Sequence, residues 1–317
     1  MQPQQRLSRR NFVAAAAAAL AAAHFGPSLG FAEDAKDGPV QMIRKSGAAA
    51  RVSVQSLRGN ITVLEGSGGN IAVLHGPEGK LLVDAGVSRG NVLAALDGIG
   101  RGPVRYVVNS HWHFDHTDGN AWLHGSGATI VAHENTRRHL STATRVEGWE
   151  FTFPAASPDA LPEVVLRGPA TLHFGDRAVL LEPYAPAHTD SDIRVTFPDA
   201  DVVHVADTWW NGHYPFIDYS TGGSIDGSIR AAEANLTVAT DQTIIIPGHG
   251  QAVSNRAQLL DFRDMLVAIR ENVAALKRQG RSRDEAVAAK PTAAFDAKWG
   301  NFVIDPGFFT RLVYAGV

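Results

Sequence analysis

The chain has 317 residues, 44% of them hydrophobic and 19% charged, with a formal net charge of -3 and no cysteine. That length and apolar share support a compact folded core and exclude a chain disordered throughout. The acidic balance repels phosphate backbones, so no nucleic-acid partner is expected, and the lack of cysteine rules out disulfides and thiolate ligands.

At the N-terminus Arg9-Arg10 is followed by Asn11-Phe12-Val13, an apolar run to Ala23, and small residues around Leu29-Gly30-Phe31-Ala32 before Glu33. The run is well short of the roughly 20 residues that a helix needs to cross a bilayer. Residues 1–32 are therefore expected to be a cleaved signal peptide that leaves no stable membrane span. The arginine pair resembles a twin-arginine signal, which implies the twin-arginine export machinery as a partner and a periplasmic destination for a protein already folded. Residues 33–50 read as a polar linker.

From Val52 to Leu64 two β-rich runs flank the turn signal Arg58-Gly59-Asn60, and runs at Asn70 to His75 and Lys80 to Asp84 continue an antiparallel meander. Ser88 to Ile99 carries Val92, Leu93, Leu96 and Ile99 at helical spacing with Ser88 as N-cap, and Val104 to Val108 reads as a buried strand. Thr117 to His124 opens a helix, Ala128 to Ala132 is a strand, and His133 to Leu140 is a second helix. Ser141 to Pro169 has no sustained period. Its Trp149, Phe151 and Phe153, among three prolines, predict either a wall over a site or a cover for apolar surface. Strands resume at Thr171 to Phe174, Ala178 to Tyr184, Ile193 to Phe197, Val202 to Ala206 and Thr243 to Ile246, with a helix over Ser224 to Thr240. Two groups of strands with helices between them predict two sheets packed face to face, helices outside. Arg256 to Gln279 is a strongly amphipathic helix that opens a C-terminal helical extension, 256–317, polar and partly aromatic from Arg281 onward.

The chemistry concentrates in Asn109-Ser110-His111-Trp112-His113-Phe114-Asp115-His116-Thr117-Asp118-Gly119. On one ideal helix His113 would point roughly 200° away from His111, so a helical face cannot gather His111, His113, Asp115 and His116. A loop at a strand's C-terminal end can. Imidazole with carboxylate is a donor set for borderline cations such as zinc. His188 in Ala187-His188-Thr189-Asp190, Asp207 after Val202 to Ala206, and His249 in Pro247-Gly248-His249-Gly250 each follow a strand-like run. His75, His124, His133, His139, His173 and His204 lack such partners and read as packed or exposed.

The order His-x-His-x-Asp-His, then His, Asp and His at wide spacings, resembles the metallo-β-lactamase superfamily from about Val52 to Gly250. The resemblance implies an α/β fold, a four-layer αββα sandwich, with residues 51–255 as the catalytic domain. It implies that His111, His113 and His188 bind one metal and Asp115, His116 and His249 a second, with Asp207 bridging. Two zinc ions per chain are the implied cofactor, with iron or manganese as the other possibilities. Asp84 would hold a histidine ligand from behind, or else belong to a helix-cap region. Two such cations ionise a water between them for attack on a carbonyl. The implied activity is hydrolysis of a small-molecule ester, lactone, thioester or β-lactam, with Asp115 orienting the nucleophile. Asn211 and Tyr214, shortly after Asp207, are candidate oxyanion donors, or else core packing. Asp at 207 and His at 113 make the set more similar to glyoxalase II-type thioesterases and lactonases than to cysteine-containing β-lactamases or flavodiiron proteins. The alternatives are a mononuclear iron enzyme similar to persulfide dioxygenases and a non-catalytic metal-binding accessory protein.

Overall fold

Short apolar runs separated by glycine turns fold back on one another in the first third of the chain. A computed structural model describes residues 38–317, so the expected signal peptide lies outside the described residues. Helix α1 (Pro39–Ala49) leads into strands β1 (Ser53–Ser56), β2 (Ile61–Glu65), β3 (Ile71–Gly76) and β4 (Gly79–Val83), each antiparallel to the next. Helix α2 (Arg89–Asp97), capped by Ser88 as predicted, makes the crossover to β5 (Val104–Val108), which lies parallel to β4. After short helices α3 (Phe114–Thr117) and α4 (Asn120–Gly125), strand β6 (Thr129–His133) adds in parallel and runs into α5 (Glu134–Leu140).

The stretch from Ser141 to Pro169, expected to lack regular structure, contains the hairpin β7 (Thr144–Val146) and β8 (Phe151–Phe153) and strand β9 (Val164–Leu166). Strand β9 completes the first sheet in the order β1-β2-β3-β4-β5-β6-β9. The hairpin covers apolar surface: Phe153 stacks on Phe114 at 5.5 Å between ring centroids, and Trp149 packs on Phe216 at 4.6 Å.

The second sheet holds β10 (Ala170–Phe174), β11 (Arg177–Pro183), β12 (Ile193–Phe197) and β13 (Val202–His204) in antiparallel succession. A two-residue strand β14 (Trp210–Asn211) and helix α6 (Ile225–Val238) precede β15 (Ile244–Ile246), which joins β13 in parallel. Strand β16 (His249–Gly250) then pairs with β14.

One apolar layer joins Val63, Leu74, Leu81 and Val108 of the first sheet to Val179, Leu181, Val195 and Ile246 of the second. On the outer face of the first sheet, Val73, Leu82 and Val107 pack on Val92 and Leu96 of α2. On the outer face of the second, Val203 and Ile245 meet Ala232 of α6 and Leu259, Phe262 and Leu266 of helix α7 (Arg256–Arg278). Removal of these aliphatic side chains from water is the dominant favourable term in the fold. The layering is the expected αββα sandwich.

Two stretches differ from the sequence reading. The supposed polar linker contains α1, which rests on the molecule through buried Val40 and a bidentate Arg44–Asp118 pair (Nε to Oδ2 2.7 Å, Nη2 to Oδ1 2.9 Å). Asn91 donates to the carbonyl of Ala48 in the last turn of α1 and to that of Ala50 just beyond it. Residues after Arg281, read as a polar and partly aromatic part of the helical extension, do form helices, α8 (Arg283–Ala288), α9 (Asp296–Trp299) and α10 (Pro306–Gly316), and differ from that reading in being packed. They bury Trp299, Ile304, Phe309 and Val313 in the same apolar cluster as Trp209 and Phe262.

Among the described residues no helix is long and apolar enough to cross a membrane.

Candidate metal centre

The residues after β5 leave the sheet in extended form and then coil. His113 is extended (φ -61°, ψ 150°) and caps α3, whose single turn carries Asp115 and His116. The hydroxyl of Thr117 donates to the carbonyls of Trp112 and His113 at 3.2 and 3.0 Å, which locks that turn. Trp112 is buried and its indole N–H donates to Thr221. The change from extended to helical backbone lets four groups that no single helix face could present converge.

The chain brings the other three candidates to the same point from the second sheet. His188 lies between β11 and β12, in a turn where the buried Asp192 carboxylate accepts from the backbone N–H of His188 and Thr189 and from the Thr189 hydroxyl. Burial pushes the Asp192 carboxyl up to about 7. Asp207 follows β13 and His249 follows β15. Asn70 ties the two sheets together at this end: its backbone N–H donates to the Gly248 carbonyl at 2.7 Å and its amide to the Pro247 carbonyl at 2.8 Å. His204, read as packed, is so: its Nε2 lies 3.0 Å from the Asn70 carbonyl.

Three overlapping groups result, His111-His113-His188, His111-His116-Asp207 and Asp115-His116-His249, each with its ligand atoms within 4.8 Å of one another. Asp207 reaches across them: its Oδ1 is 3.2 Å from His116 Nε2, and its Oδ2 is 3.2 Å from His249 Nε2 and 3.6 Å from His188 Nε2. His116 Nε2 and His249 Nε2 face each other at 3.3 Å, and His188 Nε2 and His113 Nδ1 at 3.0 Å. His111 Nε2 and Asp207 Oδ1 are buried without a hydrogen-bond partner. Buried polar atoms are normally paired, so orphaned donor atoms aimed at a common point fit a bound cation.

The far nitrogen of four rings is held from behind, which fixes the nitrogen left for a metal. His116 Nδ1 lies 2.8 Å from Asp84 Oδ2, His188 Nδ1 lies 2.8 Å from the Phe216 carbonyl, and His113 Nε2 lies 3.1 Å from Asp218 Oδ2. His111 Nδ1 lies 3.1 Å from the Ser110 hydroxyl, which itself donates to Asp84 at 2.8 Å. Asp84 thus steadies a histidine of each triad, one of the two roles its position suggested; it does not cap a helix. It adopts a left-handed backbone (φ 72°), as does Ala206 beside Asp207 (φ 52°), conformations that cost non-glycine residues about 1–3 kcal/mol. Asp84→Asn is expected to lower metal affinity roughly 10–100-fold while the unfolding midpoint of the chelated protein moves little, measured by zinc competition titration and by denaturant melts.

Two glycines allow these approaches. A Cβ on Gly69 would run into the His116 imidazole, and one on Gly248 into Asp207 Oδ1.

The electrostatics divide the cluster. Burial drives His111 well below its usual range and His188 down to about 4. Burial also opposes charge on His116 and His249, yet Asp207 and Asp115 outweigh it, with Asp84 helping at His116. His116 is held well above its usual value and His249 is raised to about 9. In return, and against burial, His116 and His249 draw Asp115 down to about 2, and His249 and His116 hold Asp207 well below the usual range.

Asn211 and Tyr214, expected as possible oxyanion donors, have other partners. The Asn211 amide donates to Ser254 Oγ at 2.5 Å and to the Gln251 carbonyl at 3.3 Å, bracing the loop that carries His249. The Tyr214 hydroxyl is turned into the C-terminal helices. It donates to Asp296 Oδ1 at 2.9 Å while its ring stacks on Phe309 at 4.6 Å, so packing is its role. Tyr214→Phe is expected to cost about 0.5–1.5 kcal/mol in urea unfolding and to leave metal content unchanged. Sequence reading missed Asp218, the Phe216 carbonyl and Asp192. Only Asp192, in the His188-Thr189-Asp190-Ser191-Asp192 turn, sat close enough to a named histidine to have been noticed.

Comparison with known proteins bears on this arrangement. Among solved structures, the stereoselective inverting sec-alkylsulfatase Pisa1 from Pseudomonas sp. superposes with a TM-score of 0.61 at 16% identity, over 83% of this chain and 50% of its own. The chain therefore spans half the length of that enzyme. A metallo-beta-lactamase from Pontibacter korlensis matches with a TM-score of 0.54 at 15% identity, covering 68% of this chain and 99% of its own. The DIM-1 metallo-beta-lactamase gives 0.54 at 19% identity, over 68% and 97%. The sequence pattern of the metallo-beta-lactamase superfamily matches residues 64–270, a stretch that contains all seven converging side chains, and the chain belongs to that superfamily.

Proposed function

We propose that the protein is a metal-dependent hydrolase that uses two cations, zinc foremost, on a small-molecule ester-type bond. The observation that carries this reading is the pair of triads, His111-His113-His188 and Asp115-His116-His249, with Asp207 within reach of both. Bound there, two divalent cations would polarise the bond to be cleaved and acidify a water. The chain's own residues do the remaining work. Asp207 and Asp115 offset the positive charge, and the buried imidazoles of His111, His113, His116 and His188 keep bulk water away. Asp115, 3.2 Å from His249 Nε2 and partly open to solvent, is placed to orient an attacking water. A mononuclear iron centre would need only one triad, and it leaves the Asp115-His116-His249 group without a purpose.

The set of side chains resembles that of glyoxalase II-type thioesterases and lactonases, and the fold relatives bring alkyl sulfates and β-lactams into the substrate class to be tried. The test is metal analysis of purified protein together with one panel of thioesters, lactones, nitrocefin and a secondary alkyl sulfate. Two zinc ions per chain and turnover of at least one member are expected. A single tightly held iron with oxygen consumption would overturn the reading. Export belongs to the same proposal and rests on Arg9-Arg10 and the apolar run after them. Replacing both arginines by lysine is expected to abolish recovery of the full chain from the periplasm; unchanged recovery would remove the twin-arginine route.

A further inference from the structure

Helix α3 is a single turn of four residues, and a lone turn has too few internal hydrogen bonds to hold itself. The direction in which it aims Asp115 and His116 is therefore set by what surrounds it. Part of that surround is the body of the domain: the Ala85 N–H donates to the His116 carbonyl at 2.9 Å, the Gly119 N–H to the Gly86 carbonyl at 3.1 Å, and the Gly69 N–H to the Asp115 carbonyl at 3.3 Å. The rest is α1. Arg44 grips Asp118, the residue that closes the turn, through its paired hydrogen bonds, and the same guanidinium lies over the ring of Phe114, the residue that opens it, 5.1 Å from the centroid. One side chain thus spans the turn from first residue to cap. A planar fork fixes the orientation of a carboxylate as well as its distance, and it can rest on an aromatic face at the same time. Three residues on, a Cβ at Gly47 would run into the side chain of Val87, next to the Ala85 and Gly86 backbone that holds His116 and Gly119. Val40 is fully buried in the cluster that contains Phe114. Each contact of α1 therefore bears on this turn or on what holds it. The helix ends before residue 64, where the match to the superfamily begins, so this support is the chain's own addition. Two ligands of the Asp115-His116-His249 triad sit inside the turn, whereas His111 and His113 precede it and His188 comes from the second sheet.

We propose that α1, through Arg44, is a positioning element for the Asp115-His116-His249 triad, so that docking of this helix and occupancy of that triad by a cation favour one another. The inference rests on the two-cation reading for the ion it invokes, and its readouts are binding and hydrogen exchange, without turnover. Zinc competition titration of the wild type resolves two affinities, and the variant His249→Ala marks which of them belongs to this triad. Arg44→Met keeps an apolar stem against Phe114 and removes the fork. It is expected to weaken the marked affinity roughly fivefold and to leave the other within about twofold of wild type, which also reports an intact fold. A coupling between two equilibria is reciprocal, so zinc is expected to slow exchange of the α1 backbone amides by a similar factor in the wild type and by much less in Arg44→Met. Loss shared equally by both affinities, no loss at the marked one, or α1 exchange that zinc does not alter overturns the coupling; two ions with turnover would then leave the hydrolase reading standing. Zinc-dependent protection of α1 without turnover of any substrate in the panel leaves the coupling in place and removes the hydrolase. A single zinc affinity in the wild type overturns both.

Discussion

Replacing Asp207 by Asn is expected to reduce turnover by roughly 10³-fold or more, well beyond the roughly 10–100-fold cost of deleting a group that only supports a ligand. The amide has nearly the shape of the carboxylate, so the 3.0 Å hydrogen bond that Trp210 Nε1 donates to Oδ2 has an acceptor to replace it. What disappears is the negative charge that faces His116, His249, His188 and His111 at 3.2 to 4.0 Å. Among the described residues no other carboxylate approaches both triads so closely: Asp115 faces His116 and His249, at 3.6 and 3.2 Å. Metal analysis of the variant is expected to show at most one firmly held ion per chain, and circular dichroism to show an intact fold. Two retained ions with turnover within tenfold of wild type would mean that the two triads do not work as one centre.

The second large effect is on metal affinity as a function of pH. In the metal-free protein His249 is raised to about 9 and His116 is held well above 6.5, so both rings carry a proton at neutral pH that an incoming cation must displace. Apparent zinc affinity should therefore increase with pH by about one decade per unit for each proton released, and level off for His249 above about 9. The metal-free fold responds in the opposite sense. The raised His249 contributes stability that is complete below its ordinary 6.5 and is lost as pH rises through about 9. The depressed Asp115 contributes stability that is complete above 3.8 and is lost as pH falls through about 2. Chelated protein should accordingly melt highest between these two ordinary values, and the margin gained from zinc should widen on going alkaline. Thermal melts with and without chelator across this range, alongside zinc competition titrations, measure both trends. A zinc affinity independent of pH below 9 would show that these imidazoles are not the groups displaced.

The convergence of seven side chains was legible because ligand identity and strand-end position are both written locally: His111 to His116 follow β5 directly, and Asp207 and His249 lie just past β13 and β15. Asp84, just past β4, was placed only through the family resemblance, with a helix-cap region as the other reading. Asp218 could not be placed, since it meets His113 across 105 residues and an aspartate in an irregular loop carries no periodic signal. Between the two roles open to Tyr214, oxyanion donor or core packing, nearness in sequence could not decide, because it says nothing of direction once Gly212 has turned the backbone. Helix α1 escaped notice since only Val40 and Gly47 of it are buried, too few to print a helical period. In the last third the helices after α7 are short, and their aromatic residues pack on partners far away in the chain.

The floor of the Asp207 loop comes from later in the chain. Trp209 lies on Phe262 of α7, and Phe262 on Trp299 of α9, with centroids 6.2 and 5.7 Å apart. Loss of the Trp299 ring is accordingly expected to slacken the support under Asp207 while leaving all seven converging side chains in the sequence.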